Sequence, residues 1–402
     1  MVWYFYSSNI IYGENALNFL DNLKENKCFI VTDKNIEEIG HLKILTDKLE
    51  QYGKEWKVFN DVVPDPHDEE VFTAKDLCIS YEPEIIIALG GGSVIDTAKM
   101  VWVLYEFPEF KIDSDIHPFN KQLFELGKKA NFIAIPTTSG TGSETSFGAV
   151  ISTQMEKNVW RKMELAHAGM VPKWAIVDPI FPAGMPPQLT AITGFDALAH
   201  CYENVISQWR SEFSDALALK AIDLIFKYLP IAYKDGNNME ARDLMHQAAT
   251  MAGLSFNNSM AQLGHTMSHS WGGVFHNPHG RLVGIFLPYV LQYCFNDPTE
   301  SCKSIEILGK IAKQLGWAKW DDDIRDAAYK NIDKIRQLQK EVGIPDKLQD
   351  LGISKDDLEK NMDTLVDLCY QSPILTACPR SVELGHLEKL FIYAYEGKDI
   401  DF

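Results

Sequence analysis

The sequence predicts a two-part chain: an α/β domain built on a parallel sheet over residues 1–185, then an all-helical domain over residues 186–402. Three observations carry this prediction. The first half alternates short apolar runs with stretches of helical periodicity, the pattern of a parallel sheet covered on both faces. Asp178-Pro-Ile-Phe-Pro-Ala-Gly-Met-Pro-Pro187 then places four prolines in ten residues, which blocks continued regular structure. Beyond it no convincing strand follows, and apolar residues recur at i, i+3, i+4.

Taken in order, residues 28–32, 56–59, 84–89, 131–135 and 174–178 are short apolar runs bounded by turn residues and read as buried strands. Residues 36–52 and 68–80 between them carry helical spacing. In the second half the same spacing marks 215–228, 240–254, 304–315 and 324–342 as helices. Asp321-Asp-Asp323 suits the start of the last of these, where negative charge complements the helix dipole. There is no internal repeat and no low-complexity tract.

A chain of 402 residues exceeds the usual size of one core, and 46% hydrophobic with 23% charged residues is ordinary for a globular protein. The formal charge of -18 would repel a phosphate backbone, which argues against a nucleic-acid partner. No run of about 18 apolar residues is present to span a membrane. The first residues, Met1-Val-Trp-Tyr-Phe-Tyr-Ser-Ser, lack the basic region of a signal peptide, so a cytoplasmic location is expected. Seven cysteines, at 28, 78, 201, 294, 302, 369 and 378, are scattered without a Cys-x-x-Cys pair. They read as buried free thiols in a reducing compartment.

Two loops are suited to a dinucleotide. Gly90-Gly91-Gly92-Ser93 follows a strand and opens a helical pattern at Val94. Glycines let backbone amides approach an anion, and a helix start adds unpaired N–H groups and positive dipole. Thr137-Thr-Ser-Gly-Thr-Gly-Ser-Glu144 follows the next strand and repeats the logic with hydroxyls. Open parallel sheets bind ligands at that edge. Asp33, at the end of the strand 28–32, is placed to bond a ribose 2′-hydroxyl, and its charge disfavours a 2′-phosphate, so NAD is expected over NADP. The usual dinucleotide fingerprint puts its acidic residue about 20 positions after the glycines; Asp33 precedes Gly90, a variant of that scheme.

A metal constellation occupies the second half. Asp196-Ala-Leu-Ala-His200 puts a carboxylate and an imidazole about 40° apart on one helix face. Four of the eleven histidines lie between His265 and His279. His265 and His269 share a helical face, and His279 is read as a loop residue after a helix broken by Gly272-Gly273. These are nitrogen and oxygen donors for one divalent cation. Spacing leaves open which of His265 and His269 is the ligand and which a supporting group. His276 either lines the pocket or stabilises the turn. His41, His67, His117, His167, His246 and His386 are dispersed and read as ordinary surface or core residues.

Gly90-Gly-Gly-Ser-Val-Ile-Asp-Thr-Ala-Lys99, Pro136-Thr-Thr-Ser-Gly-Thr-Gly-Ser-Glu144, Asp196-Ala-Leu-Ala-His200, the 265/269 histidine pair and Pro278-His279-Gly280 together resemble the iron-containing (group III) alcohol dehydrogenases. The resemblance runs from about residue 8 to 395, and Met100-Val-Trp-Val-Leu-Tyr-Glu-Phe-Pro-Glu109 looks like the alcohol dehydrogenase half of bifunctional aldehyde-alcohol dehydrogenases. It implies the dehydroquinate synthase-like fold, a dinucleotide-binding domain and a helical domain with the active site in the cleft between them. Asp196, His200, His265 and His279 would be the metal ligands, and His269 a nearby group relaying protons. Gly91, Gly92, Ser93, Thr137, Thr138 and Thr141 would contact the phosphates and nicotinamide, and Lys162 the cofactor ribose. Two positions depart from the pattern: Cys378 stands where relatives often have asparagine, and Trp271 where a smaller aliphatic residue is usual. Trp271 either narrows the substrate pocket or fills the core.

The implied activity is a metal-dependent hydride transfer between NAD(H) and a small primary alcohol or aldehyde. Three imidazoles and a carboxylate suit Fe(II), although zinc generally binds such donors more tightly. A homodimer or larger assembly is expected. The rival readings are a metal- and NAD-dependent lyase of the dehydroquinate synthase type, a glycerol dehydrogenase-like polyol oxidation, and an inert structural role.

Overall fold

The structure, a computed structural model, describes residues 4–116, 125–156, 159–299 and 302–402. His117 lies outside the described residues. The chain divides into two compact units, Met1–Gly184 and Met185–Phe402.

The first unit holds strands β1 (Asn9–Tyr12), β2 (Lys27–Val31), β3 (Glu55–Phe59), β4 (Ile85–Gly90), β5 (Asn131–Pro136), β6 (Gly148–Glu156), β7 (Val159–Ala166) and β8 (Trp174–Val177). Six of them form one sheet in the order β1-β8-β5-β4-β2-β3, every neighbouring pair parallel. Its helices are α1 (Lys34–Glu38), α2 (His41–Gln51), α3 (Asp68–Tyr81), α4 (Gly92–Glu106) and α5 (Ile112–Asp115).

Side chains alternate across a strand, and here both alternating sets are apolar. Cys28, Ile30, Ile85, Ile87, Leu89, Ile133 and Ile135 pack on one face with Leu42, Leu45 and Leu49 of α2. Phe29, Val31, Ile86, Ala88, Phe132 and Ala134 pack on the other with Ala74 and Cys78 of α3 and Val94, Ala98 and Trp102 of α4. Burial on both faces is why these strands read as continuous apolar runs. The connection from β2 leads outward to β3, and that from β4 leads the opposite way to β5. The strand order therefore reverses between β2 and β4, the kind of point at which open α/β sheets bind ligands beyond their C-terminal edge.

Several features of the first unit differ from the sequence expectation, the edge strand β1 among them. The helical stretch 36–52 is two helices, because Gly40 adopts φ 86 between α1 and α2. The antiparallel hairpin of β6 and β7, absent from the expectation, packs Ala149, Ile151, Met163 and Leu165 on Met100, Val103 and Leu104 of α4.

The second unit is helical: α6 (Pro187–Ile206), α7 (Glu212–Lys234), α8 (Met239–Asn257), α9 (Leu263–Phe275), α10 (His279–Phe295), α11 (Ser304–Gln314), α12 (Ile324–Val342), α13 (Lys355–Gln371) and α14 (His386–Glu396). One core joins α6, α7, α8, α9 and α10, with Phe195, Leu198, Tyr202, Ile222, Leu263, Trp271, Phe286 and Phe391 among its buried members. Asp323 caps α12, its side chain accepting from the N–H groups of Arg325 and Asp326. Among the described residues no strand follows β8. No described helix is long and apolar enough to cross a membrane, and all seven cysteines are buried, none of them in a disulfide.

Candidate metal centre and cofactor loops

Helix α6 begins at a proline pair, with Pro186 at the cap and Pro187 first in the helix. Almost all of it is buried, so its polar side chains must find partners inside the unit. Asp196, His200 and Glu203 stand at i, i+4 and i+7 and share one face. Helix α9 brings His265 and His269, and α10 brings His279. His279 is not a loop residue: Pro278 caps α10 and His279 is its first residue. Gly272 and Gly273 do not break α9, which runs on to Phe275 and ends where His276 turns left-handed at φ 57. Gly280 sets the approach of α10 to α6, since a Cβ there would lie 2.5 Å from the Ile192 carbonyl oxygen.

The outcome is a convergence on one atom. Asp196 Oδ1 lies 3.6 Å from His265 Nε2, 3.7 Å from His279 Nε2 and 3.8 Å from His200 Nδ1. Asp196, His265 and His279 offer ligand atoms all within 4.8 Å of one another. His200 stands beside that trio, its ring centroid 4.3 Å from that of His265 and its ring stacked on Phe256 at 4.6 Å. His269 stacks on His279 at 4.7 Å.

These separations are too long for hydrogen bonds. They are close to the roughly 3.4 Å edge of a tetrahedron of donors held about 2.0–2.1 Å from a common centre. Among the described residues nothing hydrogen-bonds Asp196 Oδ1, His200 Nδ1 or His265 Nε2, although all three atoms are buried. Buried polar atoms left so are costly. No lysine or arginine among the described residues pairs with the buried carboxylates of Asp196 and Glu203. The donor set therefore fits one divalent cation.

With no cation among them, the carboxylates and imidazoles perturb one another strongly. Burial would raise the Asp196 carboxyl, but the neighbouring His200, His265 and His269 hold it below its usual value. Burial, then the charge on His265, pushes His200 down to about 4, against Asp196 and Glu203. Burial works against a charged His265 as well, yet the Glu203 and Asp196 carboxylates outweigh it and lift this ring to about 10.

Spacing alone passes over Glu203, which is wholly buried and meets His265 Nδ1 at 3.0 Å. Its position on the Asp196/His200 face is the signal that could have found it. Trp271 is a core residue: it is fully buried against Phe275 and Phe391, and its Nε1 donates to Asn277 Oδ1 at 2.9 Å. That bond ties down the segment leading into His279. His276 is exposed, and its N–H closes the end of α9 on Gly272 O at 3.0 Å.

In the first unit the sheet edge gathers most of the candidate cofactor residues. Gly91 caps α4 and, lacking a side chain, leaves the first N–H groups of that helix without a side-chain acceptor. Thr137 N–H bonds Gly90 O at 3.0 Å, joining the two loops. Gly92 is required where it stands, because a Cβ would come within 2.7 Å of Thr141 Cγ2. Thr138 lies beside Gly91, and Ser93 follows on the first turn of α4. Asp33 sits just past β2, one strand over, where Thr32 Oγ1 reaches Leu89 O at 2.8 Å. Its Oδ1 accepts Ile36 N–H at 3.0 Å and caps α1. Lys162 is on β7, opposite Ser152 of β6, with its Nζ 2.5 Å from Asp65 Oδ1.

Beneath the threonine-rich loop lies a support that spacing alone also passes over. Lys99 Nζ, fully buried, donates to Ser143 Oγ, Ser146 Oγ and Gly148 O at 3.1, 3.0 and 2.6 Å. Asp96 accepts from Ser143 Oγ and from Val150 N–H at 2.9 Å. Burial lowers the Lys99 ammonium to about 8, with Asp96 and Glu144 resisting.

Residues 7–179 match the family model described as iron-containing alcohol dehydrogenase, and residues 190–395 match that of the Fe-containing alcohol dehydrogenase family, C-terminal. The chain belongs to the iron-containing alcohol dehydrogenase family. It is thus an oxidoreductase of the alcohol dehydrogenase type, which sets aside the lyase and scaffold alternatives. Among this family's members it is 36% identical over 396 residues to an NADPH-dependent butanol dehydrogenase of Clostridium saccharobutylicum, covering 98% of both chains. It is 33% identical over 419 residues to the bifunctional aldehyde-alcohol dehydrogenase AdhE of Escherichia coli K12, covering 99% of this chain and 47% of that one. A crystal structure of 1,3-propanediol oxidoreductase superposes with a TM-score of 0.88 at 28% identity, covering 98% of this chain and all of that one. The iron-containing alcohol dehydrogenase of Thermococcus thioreducens gives 0.87 at 29% identity, covering 99% and 100%.

Proposed function

We propose that the chain interconverts small primary alcohols and aldehydes with NAD(H), with one divalent cation, Fe(II) or Zn(II), held by Asp196, His200, His265 and His279. The observation that carries this reading is the approach of three imidazole nitrogens to a single buried carboxylate oxygen. When bound, such a cation supplies Lewis acidity toward an alcohol or carbonyl oxygen. Asp196 contributes the negative charge that retains it, and the three imidazoles contribute neutral donors. His269, half-buried and stacked on His279, takes up the hydroxyl proton on a ring nitrogen during oxidation and returns it during reduction.

The loops of Gly91, Gly92, Ser93, Thr137, Thr138 and Thr141 bind the pyrophosphate and orient the nicotinamide, with the amides at the start of α4 facing the anion. Lys162 lies near the ribose in this reading. Asp33 selects NAD by accepting from the ribose 2′-hydroxyl and repelling a 2′-phosphate. One observation favours the other cofactor: the Clostridium relative is named for NADPH. The same reading makes the protein a cytoplasmic homodimer or larger assembly, which sedimentation would check.

The test is metal analysis of anaerobically purified protein, paired with butyraldehyde and acetaldehyde turnover under NADH and under NADPH. Aldehyde-dependent loss of NADH that vanishes on chelation and returns with Fe(II) or Zn(II) is expected. Aldehyde present and metal loaded with no net change in cofactor would overturn the reading, and equal rates with NADPH would overturn the role of Asp33.

A further inference from the structure

Helix α9 starts in the interior of the unit, where its first N–H groups have no water to turn to. Gln262, its cap residue, offers no side-chain cap to them. A residue from another helix takes over. Glu203 Oε2 accepts the Gln262 backbone N–H at 2.7 Å, and Glu203 Oε1 accepts the His265 backbone N–H at 3.2 Å. The Gln262 side chain closes the loop by donating to the Glu203 carbonyl at 2.6 Å. Gly264 lies directly over this carboxylate; a Cβ there would stand 2.2 Å from Oε1. The carboxylate is thus fixed in position by backbone on one side and by the absence of a side chain on the other.

The same Oε2 lies 3.0 Å from His265 Nδ1. A carboxylate only accepts, so the ring must donate from Nδ1. In the neutral ring, the form that ligates a cation, the proton held there leaves Nε2 as the nitrogen with a lone pair to give, and Nε2 is the atom that faces Asp196 Oδ1 at 3.6 Å.

We propose that Glu203 is a positioning residue of the metal centre, anchoring the start of α9 and locking the His265 ring with Nδ1–H toward itself and Nε2 toward the cation. The proposal rests on the metal-binding reading above. It gives one buried carboxylate two coupled tasks: it caps the helix that carries the ligand, and it chooses which ring nitrogen the ligand offers. Glutamine cannot do both. Both Glu203 oxygens accept N–H groups, so an amide NH2 in place of either faces a donor; in place of Oε2 it would turn the His265 proton to Nε2 and remove the ligand.

The experiment measures Zn(II) affinity by chelator competition for the full chain, for Glu203→Gln and for Glu203→Asp, alongside the melting temperature of each metal-free protein. Glu203→Gln should weaken zinc binding by about 10–100-fold, the usual effect of losing such a partner. Glu203→Asp, which keeps an acceptor-only carboxylate, should recover part of that loss. An unchanged zinc affinity in a folded Glu203→Gln protein overturns the role of Glu203 and leaves the metal centre standing. Failure of the unaltered chain to bind zinc overturns both. Should Glu203→Gln not fold, histidine-selective 15N spectra of the zinc-loaded unaltered protein decide: a proton on His265 Nδ1 supports the proposal, and a bare Nδ1 overturns it.

Discussion

At Asp33 one oxygen caps α1 through the Ile36 N–H, so the carboxylate stays at the end of β2 whether or not a ribose is present. The observed cap and the proposed cofactor role can be separated by substitution. Asparagine keeps the capping oxygen and loses only the charge, so Asp33→Asn should leave the melting temperature nearly unchanged. Its preference for NADH over NADPH should fall on the order of tenfold, in keeping with about 1–4 kcal/mol for one charge contact near a surface. The ratio of kcat/KM for the two cofactors measures this, and an unaltered ratio would reject the assignment. Lys99 makes a different kind of prediction. Its ammonium is lowered from 10.5 to about 8 in the fold, so between those pH values the unfolded chain binds the extra proton and stability rises with pH. Relative to Lys99→Met, the unaltered protein should gain stability from pH 8 to 10.5; a constant difference in urea midpoints across that window would contradict the burial argument.

Elements explain which parts of the fold can be read from sequence. The four inner strands β2, β4, β5 and β8 are legible because both of their faces are buried, which leaves continuous apolar runs such as Ile85-Ile-Ile-Ala-Leu89. β1 is not, since Asn9–Tyr12 is a four-residue edge strand with both ends exposed. The β6–β7 hairpin is hidden because its inward residues meet α4 while the opposite set mixes Val150 and Trp160 with Ser152, Lys162 and Glu164, which blurs the alternation of a half-buried strand. Gly272-Gly273 mislead for another reason: two buried glycines cost about 1 kcal/mol each in a helix, and the packing of Trp271 on Phe275 and Phe391 outweighs that. At the metal centre, i, i+4 spacing reveals which residues share a face but not which helices meet, so Asp196 and His200 are legible as a pair while Glu203 is not. The α9–α10 junction yields a test. Trp271→Phe removes the bond to Asn277 and should cost about 1 kcal/mol; zinc affinity should fall through His279 while the chain-length preference for alcohols stays the same. A shifted chain-length profile would return Trp271 to the substrate pocket.

Across the whole molecule, two ligands should leave separate footprints. Zinc should raise amide-exchange protection in α6, α9 and α10, and NAD should do so around Gly90–Val94 and Thr137–Thr141. A cation present at a hundred times its Kd adds about 2.7 kcal/mol to whatever unit holds it, enough to see in the melting of the helical unit. Uniform protection by either ligand, or none by zinc at the three helices, would contradict the assignments.

No two adjacent helices of the second unit hold the cation's donors by themselves. Asp196 and His200 are synthesised well before His265, and His279 comes later still, with α7 and α8 in between. In the proposed reading, a nascent chain emerging from the ribosome therefore lacks the full donor set until α10 has been made and has docked. On that reading the cation is taken up late in biogenesis, and a truncated product ending before α10 would lack His279 and bind it more weakly.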